Sequence, residues 1–245
     1  LLDMTALNRL SPMEGDSIWV DAGVLWRDLV AEVIGSGRLP MVLTGNLDVT
    51  VGGTISTAGL GAGSHRLGIQ ADNVEELEVV TGAGDLVRCS SRENVDLFNS
   101  VRCGLGQFGI ITRVRLRLRR CAPRVRTFFL LYDNIQILMK DQERILREQL
   151  FDYVEAWCSP CEQGYRSLAG SRVPFAEWFY PLHLSVEYSG SAPAHSFVKS
   201  LRPYREVYEE DSPIEQFAAR MDPVFQVWRE CGSWRLSHPW MQVIL

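Results

Sequence analysis

Apolar positions in the first half of the chain come in short runs and helical repeats that predict a mixed fold. Ile18, Trp19 and Val20 form a compact run expected as a strand, and Leu25, Leu29, Val30, Val33 and Ile34 then recur at helical spacing until Gly35 and Gly37 stop them. Residues 75–80 and 86–89 predict two strands around Thr81-Gly82-Ala83-Gly84-Asp85, a segment with the glycines of a hairpin turn. A short helix is expected over 93–101. From 110 to 118 the pattern alternates, with Ile110, Thr112, Val114, Leu116 and Leu118 on one face and Ile111 with arginines 113, 115 and 117 on the other. These arginines read as a solvated strand face.

Proline ends this pattern at Cys121-Ala122-Pro123, which places a domain boundary there. Beyond it, strands are expected over 125–132, 151–158, 183–188 and 204–208, with helices over 135–149, 197–201 and 214–228. Adjacent strands without intervening helices predict an antiparallel sheet flanked by helices, so the fold class is α+β.

Composition changes this picture little. The 245 residues carry 25 Lys and Arg against 30 Asp and Glu, a net charge of −5 that supplies no basic field for nucleic acid or an anionic membrane. A small-molecule partner is expected, with no nucleic acid and no membrane. No apolar run reaches the ~18 residues a spanning helix needs, and residues 1–12 have neither the basic nor the apolar part of a leader. Six scattered cysteines predict reduced thiols and a cytoplasmic protein. Cys158 and Cys161 have a suggestive spacing, but no second pair or nearby His completes a metal site, so no metal is expected.

Two glycine-rich stretches carry candidate chemistry. In the first, residues 50–63, closely spaced glycines let backbone N–H groups approach a bound group, and the hydroxyls of Thr50, Thr54 and Ser56 are candidate donors to phosphate. A pyrophosphate cradle and a tight bend needing glycine only for its dihedrals are both open readings. The second, Gly104-Leu105-Gly106-Gln107-Phe108-Gly109, matches the dinucleotide fingerprint in letters but not in context. A helix precedes it, a strand follows, and Arg126 and Thr127 stand where the ribose-binding acid belongs, which argues against a nicotinamide site.

In order and spacing, Thr50-Val51-Gly52-Gly53-Thr54-Ile55-Ser56-Thr57-Ala58-Gly59, Asn73-Val74 through Val80-Thr81-Gly82, Asp96-Leu97-Phe98 and Gly104 through Arg113 resemble the flavin domain of cytokinin dehydrogenases. Phe151-Asp152-Tyr153-Val154-Glu155 and His238-Pro239-Trp240 resemble stretches of the same family's substrate domain. The resemblance implies an FAD-linked oxidoreductase of the vanillyl-alcohol oxidase type, with the second part of a PCMH-type FAD-binding domain at 1–121 and a substrate or cap domain at 122–245. It implies that Thr50, Ser56, Leu60 and Ile110 touch FAD, that Gly52, Gly53, Gly59 and Gly109 shape the loops beside Thr54, and that Glu155 and Trp240 border the substrate. Such enzymes pass a hydride from a carbon beside an amine or alcohol to flavin N5.

Three departures accompany it. The family's catalytic aspartate falls on Gly45, which cannot act as a base; Asp48 is the candidate substitute, facing away from residue 45 if the segment is extended. The family's Arg-Gly-x-Gly-His-Ser loop has no counterpart, His65 does not replace it, and the related cysteinyl position is Asp48. The resemblance stops inside the substrate domain at Leu245. The expectation is therefore a chain lacking the N-terminal flavin subdomain, which would be supplied by another segment, and lacking the end of its cap. Two functions remain open: an FAD-dependent oxidase or dehydrogenase, and a non-catalytic flavin-fold remnant serving as a binding or assembly partner. His238 reads as part of a rigid turn before proline, or as a base.

Overall fold

The structure is a computed structural model that describes residues 3–168 and 170–232. His238 and Trp240 lie outside the described residues.

Two antiparallel sheets succeed each other along the chain. The first has the order β1 (Ser17–Asp21), β5 (Ile110–Arg120), β3 (Val74–Val80), β4 (Leu86–Ser90), with β2 (Arg38–Pro40) pairing the far end of β5. Helix α1 (Trp26–Ile34) buries Trp26, Leu29, Val30 and Val33, one apolar stripe at helical spacing, and stops where Gly37 takes φ +70°. The β3–β4 turn closes as its glycines predict: Thr81 N–H donates to the Asp85 carbonyl at 2.9 Å, with Gly84 at φ +90°. Helices α2 (Val51–Ser56), α3 (Ser64–Leu67) and α4 (Val95–Val101) complete this half, whose core runs from Ile18 to Leu118.

One feature of β5 departs from the strict alternation of its sequence. The register with β3 shifts between Glu78 and Val79, so Leu77 opposes Val114 but Val79 opposes Ile111. The extra residue flips the parity. Ile111 is thereby buried with Val114, and Thr112 turns aside to donate its hydroxyl to the Glu78 carbonyl at 3.0 Å. The arginines beyond the bulge are not simply solvated. Arg115 reaches Glu75, Glu76 and Glu14 at 3.0 to 3.2 Å, Arg113 reaches Asp21 at 3.3 Å, and Arg88 and Arg113 lie over the Trp19 ring.

The second sheet has the order β10 (Arg205–Pro213), β6 (Arg124–Tyr132), β9 (Ser171–Tyr188), β7 (Tyr153–Ala156), with β8 (Ser159–Leu168) pairing the start of β9. One face of β6 and β9 packs Phe128, Leu130, Tyr132, Leu182 and Leu184 against α5 (Ile135–Glu148). Asn134 caps α5 by accepting from Gln136 and Ile137 N–H at 2.9 and 3.1 Å, and the buried Asp141 of that helix accepts from the Tyr132 hydroxyl. The helix expected over 197–201 is a 3-10 turn at His195–Phe197. The one expected over 214–228 divides into α6 (Ile214–Ala218) and α7 (Asp222–Glu230), because Pro223 in the first turn starts a new helix.

Only residues 121–123 separate the last strand of the first sheet from the first strand of the second. A third apolar cluster, Val30, Leu39, Val125, Ile214, Phe217 and Ala218, joins the two halves. Beside it Arg119 donates to Glu187 at 2.6 Å and to the Tyr153 hydroxyl, which itself donates to Glu187 at 2.6 Å. Burial pushes the Glu187 carboxyl up, but Arg119 and Tyr153 together pull harder and hold it below the usual carboxylate range.

Candidate functional site

The two glycine-rich stretches, about fifty residues apart in sequence, meet in space. Cys103 N–H donates to the Ile55 carbonyl at 3.0 Å and Leu105 N–H to the Ser56 carbonyl at 2.9 Å, so the loop before β5 sits on the C-terminal end of α2. These bonds also satisfy carbonyls that a helix end otherwise leaves open.

The N-terminal end of α2 is spent on the protein. Val51 and Gly52 N–H donate to the Val24 and Ala22 carbonyls at 2.9 and 2.8 Å, and Gly53 N–H donates to the capping Thr50 Oγ1 at 3.2 Å. The hydroxyls expected to face phosphate are engaged too. Ser56 donates to the Gly52 carbonyl at 2.8 Å; Thr54 donates to the Val51 carbonyl and accepts from the Trp26 indole N–H at 2.8 Å. Glycine is needed here for close approach: a Cβ on Gly52 would lie 2.6 Å from that of Ala22, and one on Gly61 1.8 Å from the Leu43 carbonyl oxygen.

Unspent donors lie further along. Among the described residues, the N–H groups of Ala58, Gly59 and Leu60 in one loop, and of Gly106, Phe108 and Gly109 in the other, donate to no protein acceptor. Both loops run through the left-handed region, at Ala58 and Gly59 (φ +87° and +71°) and at Leu105 and Gly106 (φ +52° and +73°). Left-handed residues are costly outside glycine and gather where backbone amides are turned toward a ligand. Leu105 and Phe108, 67% and 54% exposed, leave an apolar rim on the second loop. Together the adjoining loops offer amides without acceptors and apolar surface without cover, which fits a dinucleotide carrying a flat ring system.

The polar candidates fare differently. Segment 44–49 is a turn and not a strand: Asp48 N–H donates to Asn46 Oδ1 at 2.9 Å and the Thr44 hydroxyl donates to the Asn46 carbonyl. Both Asp48 oxygens are held, one by Arg27 at 2.7 Å and the other by Arg229 at 2.6 Å, and Arg27 also binds Asp222. The hydrogen bond from Arg27 is the main cause of a carboxyl held below its usual range. A base works best with an oxygen left free and a raised affinity for protons, and Asp48 in this arrangement has neither. Gly45 itself is open enough that a Cβ there would meet only Met221, in ordinary contact at 3.5 Å.

Glu155 is likewise paired: Arg220 grips both its oxygens, at 2.6 and 2.9 Å. The group beside it that the sequence did not single out is His183, opposite Glu155 in the β7–β9 pairing. Strand β7 and the residues just before it reach the glycine-rich stretch directly. Val154 N–H donates to the Ala62 carbonyl at 3.0 Å, a ring nitrogen of His65 lies 3.2 Å from the Phe151 carbonyl oxygen, and Arg66 pairs with Asp152.

Comparison with known proteins agrees with this arrangement. Residues 1–90 match the FAD binding domain family. The chain is 35% identical over its whole length to an uncharacterized oxidoreductase, ORF5 in fasciation locus, of Rhodococcoides fascians, covering 54% of that protein. It is 34% identical over its whole length to cytokinin dehydrogenase 7 of Oryza sativa subsp. japonica, covering 53% of it. A stretch comprising 58% of the chain is 43% identical to cytokinin dehydrogenase 5 of Arabidopsis thaliana. The chain spans about half the length of these full-length matches. The cofactor class is FAD. No helix among the described residues is long and apolar enough to cross a membrane.

Proposed function

We propose that this chain belongs with the FAD-linked oxidoreductases that resemble cytokinin dehydrogenases and forms the flavin-facing part of an enzyme oxidising a small amine or alcohol. FAD supplies the hydride acceptor in such chemistry. The work of these residues is to hold and orient. The free amides of residues 58–60 and of Gly106, Phe108 and Gly109 are the donors to the dinucleotide, with Thr50, Thr54, Ser56, Leu60 and Ile110 at its edges and Gly52, Gly53 and Gly59 shaping the loop beside it.

The contact of Cys103 and Leu105 with the end of α2 carries this reading, since it brings both sets of unspent amides to one place. The purified protein should be yellow, or should take up FAD with quenching of flavin fluorescence. Ser56→Phe should weaken that uptake at least about tenfold, as expected for losing ~1.4 kcal/mol of binding. Unchanged affinity would remove this loop from the cofactor site.

A second reading is favoured by one observation: neither Gly45 nor the doubly clamped Asp48 provides a base. It describes a flavin-fold protein without turnover that serves as a binding or assembly partner. Bleaching of the bound flavin by an amine or alcohol under anaerobic conditions decides between the two, because only the enzyme reduces its cofactor.

A further inference from the structure

Three polar side chains meet on the face of the second sheet opposite α5, and they differ in what they leave free. Both oxygens of Glu155 accept from Arg220, and Arg220 donates again to the Phe217 carbonyl at 3.2 Å, so that pair is closed. His183, across the strand pair from Glu155, is open. Among the described residues no donor or acceptor lies within hydrogen-bonding reach of either ring nitrogen.

Its surroundings are aromatic. Trp157 stands edge-on to the imidazole at 4.6 Å and Phe129 at 4.3 Å, while Tyr208 stacks on Phe129 at 4.1 Å. Trp157 and Tyr208 are 44% and 54% exposed, so among the described residues this tier is open where the neighbouring tier of the same face is covered by α6. Burial pushes the imidazole down to about 4; Glu155 opposes this and the Arg220 charge assists it. At neutral pH the ring is therefore uncharged, with one N–H to give and one nitrogen to accept.

This face also looks toward the first half of the molecule. Val125 and Tyr153 on it pack with Val30, Leu39 and Leu43, and Met221, next in sequence to Arg220, lies against Gly45. We propose that His183, walled by Phe129 and Trp157, holds the polar edge of a flat aromatic substrate bearing an N–H or O–H donor. The proposal rests on the flavin reading above for the term substrate; the binding site itself stands on His183 and its walls. It replaces Glu155 with its cross-strand neighbour as the cap's polar contact.

Ring-labelled histidine NMR tests this, because the chain has only four histidines. The probes are benzimidazole and 1-methylbenzimidazole, which differ by one N–H, titrated into the purified protein at pH 7.5. The His183 signal, assigned by its loss in His183→Gln, should move saturably with benzimidazole. The methylated probe should bind about tenfold more weakly, the scale of one good hydrogen bond. His183→Leu should bind both probes equally and weakly, and His183→Gln, which keeps a donor and an acceptor, should retain part of the preference. Thermal melts identify any variant that fails to fold.

A His183 signal unmoved by benzimidazole up to its solubility, or wild-type binding of both probes by His183→Leu, overturns the proposal. A parallel FAD titration separates the two readings. FAD uptake with a silent His183 sinks the site alone, whereas a responsive His183 without FAD uptake sinks the flavin reading alone.

Discussion

The loops at 50–61 and 104–109 are both rich in glycine but do not use it in the same way throughout. In the first, glycine is a packing residue for most of its length: Gly52 and Gly61 are pressed against other backbone, and three successive amides at the start of α2 are consumed by the protein. In the second, nothing lies within 4 Å of where a side chain on Gly106 would point, and its amide is free. Density of glycine thus marks close backbone approach without saying to what. Acceptors run out only at 58–60 in the first loop and at Gly106, Phe108 and Gly109 in the second.

Substitutions can break this contrast. Gly61→Ala drives a Cβ into the Leu43 carbonyl and should cost about 3 kcal/mol or more, the upper end of overpacking, read as a drop in the urea midpoint. Gly106→Ala meets only the left-handed backbone penalty, about 1 kcal/mol. Equal losses at the two sites would erase the distinction between packing and open glycines. Thr50→Ala removes the cap on Gly53 and should also cost about 1 kcal/mol of stability by chemical denaturation.

The last expected effect, read on a pH profile, extends the contrast to Glu155 and His183. Because the folded pKa of His183 is depressed to about 4 from 6.5, its contribution to stability is present above pH 6.5. That contribution is lost as pH falls from 6.5 toward 4, where the unfolded ring takes up a proton that the folded one refuses. His183→Gln should flatten this part of the melting-temperature profile; an identical slope would show that other groups carry it.

Much of the first half was legible in sequence because its elements are locally encoded. The stripe of α1 and the glycine turn between β3 and β4 both appear in short windows. The parity of β5 was not legible, because the bulge is set by pairing with β3 some thirty residues away. The long β8–β9 hairpin was missed except for its end at 183–188: prolines 160, 174 and 181 interrupt any alternation, and length had to come from pairing. Asp222-Pro223 did announce a helix start inside the segment expected as one helix.

Among site residues, the sequence located both loops but not which of their groups are occupied. Thr54 and Ser56 look like ligand donors until Trp26 and the Gly52 carbonyl are seen beside them. Asp48 and Glu155 look available until Arg229 of α7 and Arg220, between α6 and α7, close on them. A lone histidine in a strand has no signature at all. What distinguishes His183 is the partner it lacks, and that is a property of the fold alone.

The knot of Arg119, Tyr153 and Glu187 bears on how a molecule could enter between the halves. It ties the last strand of one sheet to two strands of the other right beside the three-residue connection, which removes that connection as a pivot. Admission by swinging the halves apart would break a buried charge network first. Entry is left to the short loops and helix ends at the rim, which can give way without disturbing either sheet.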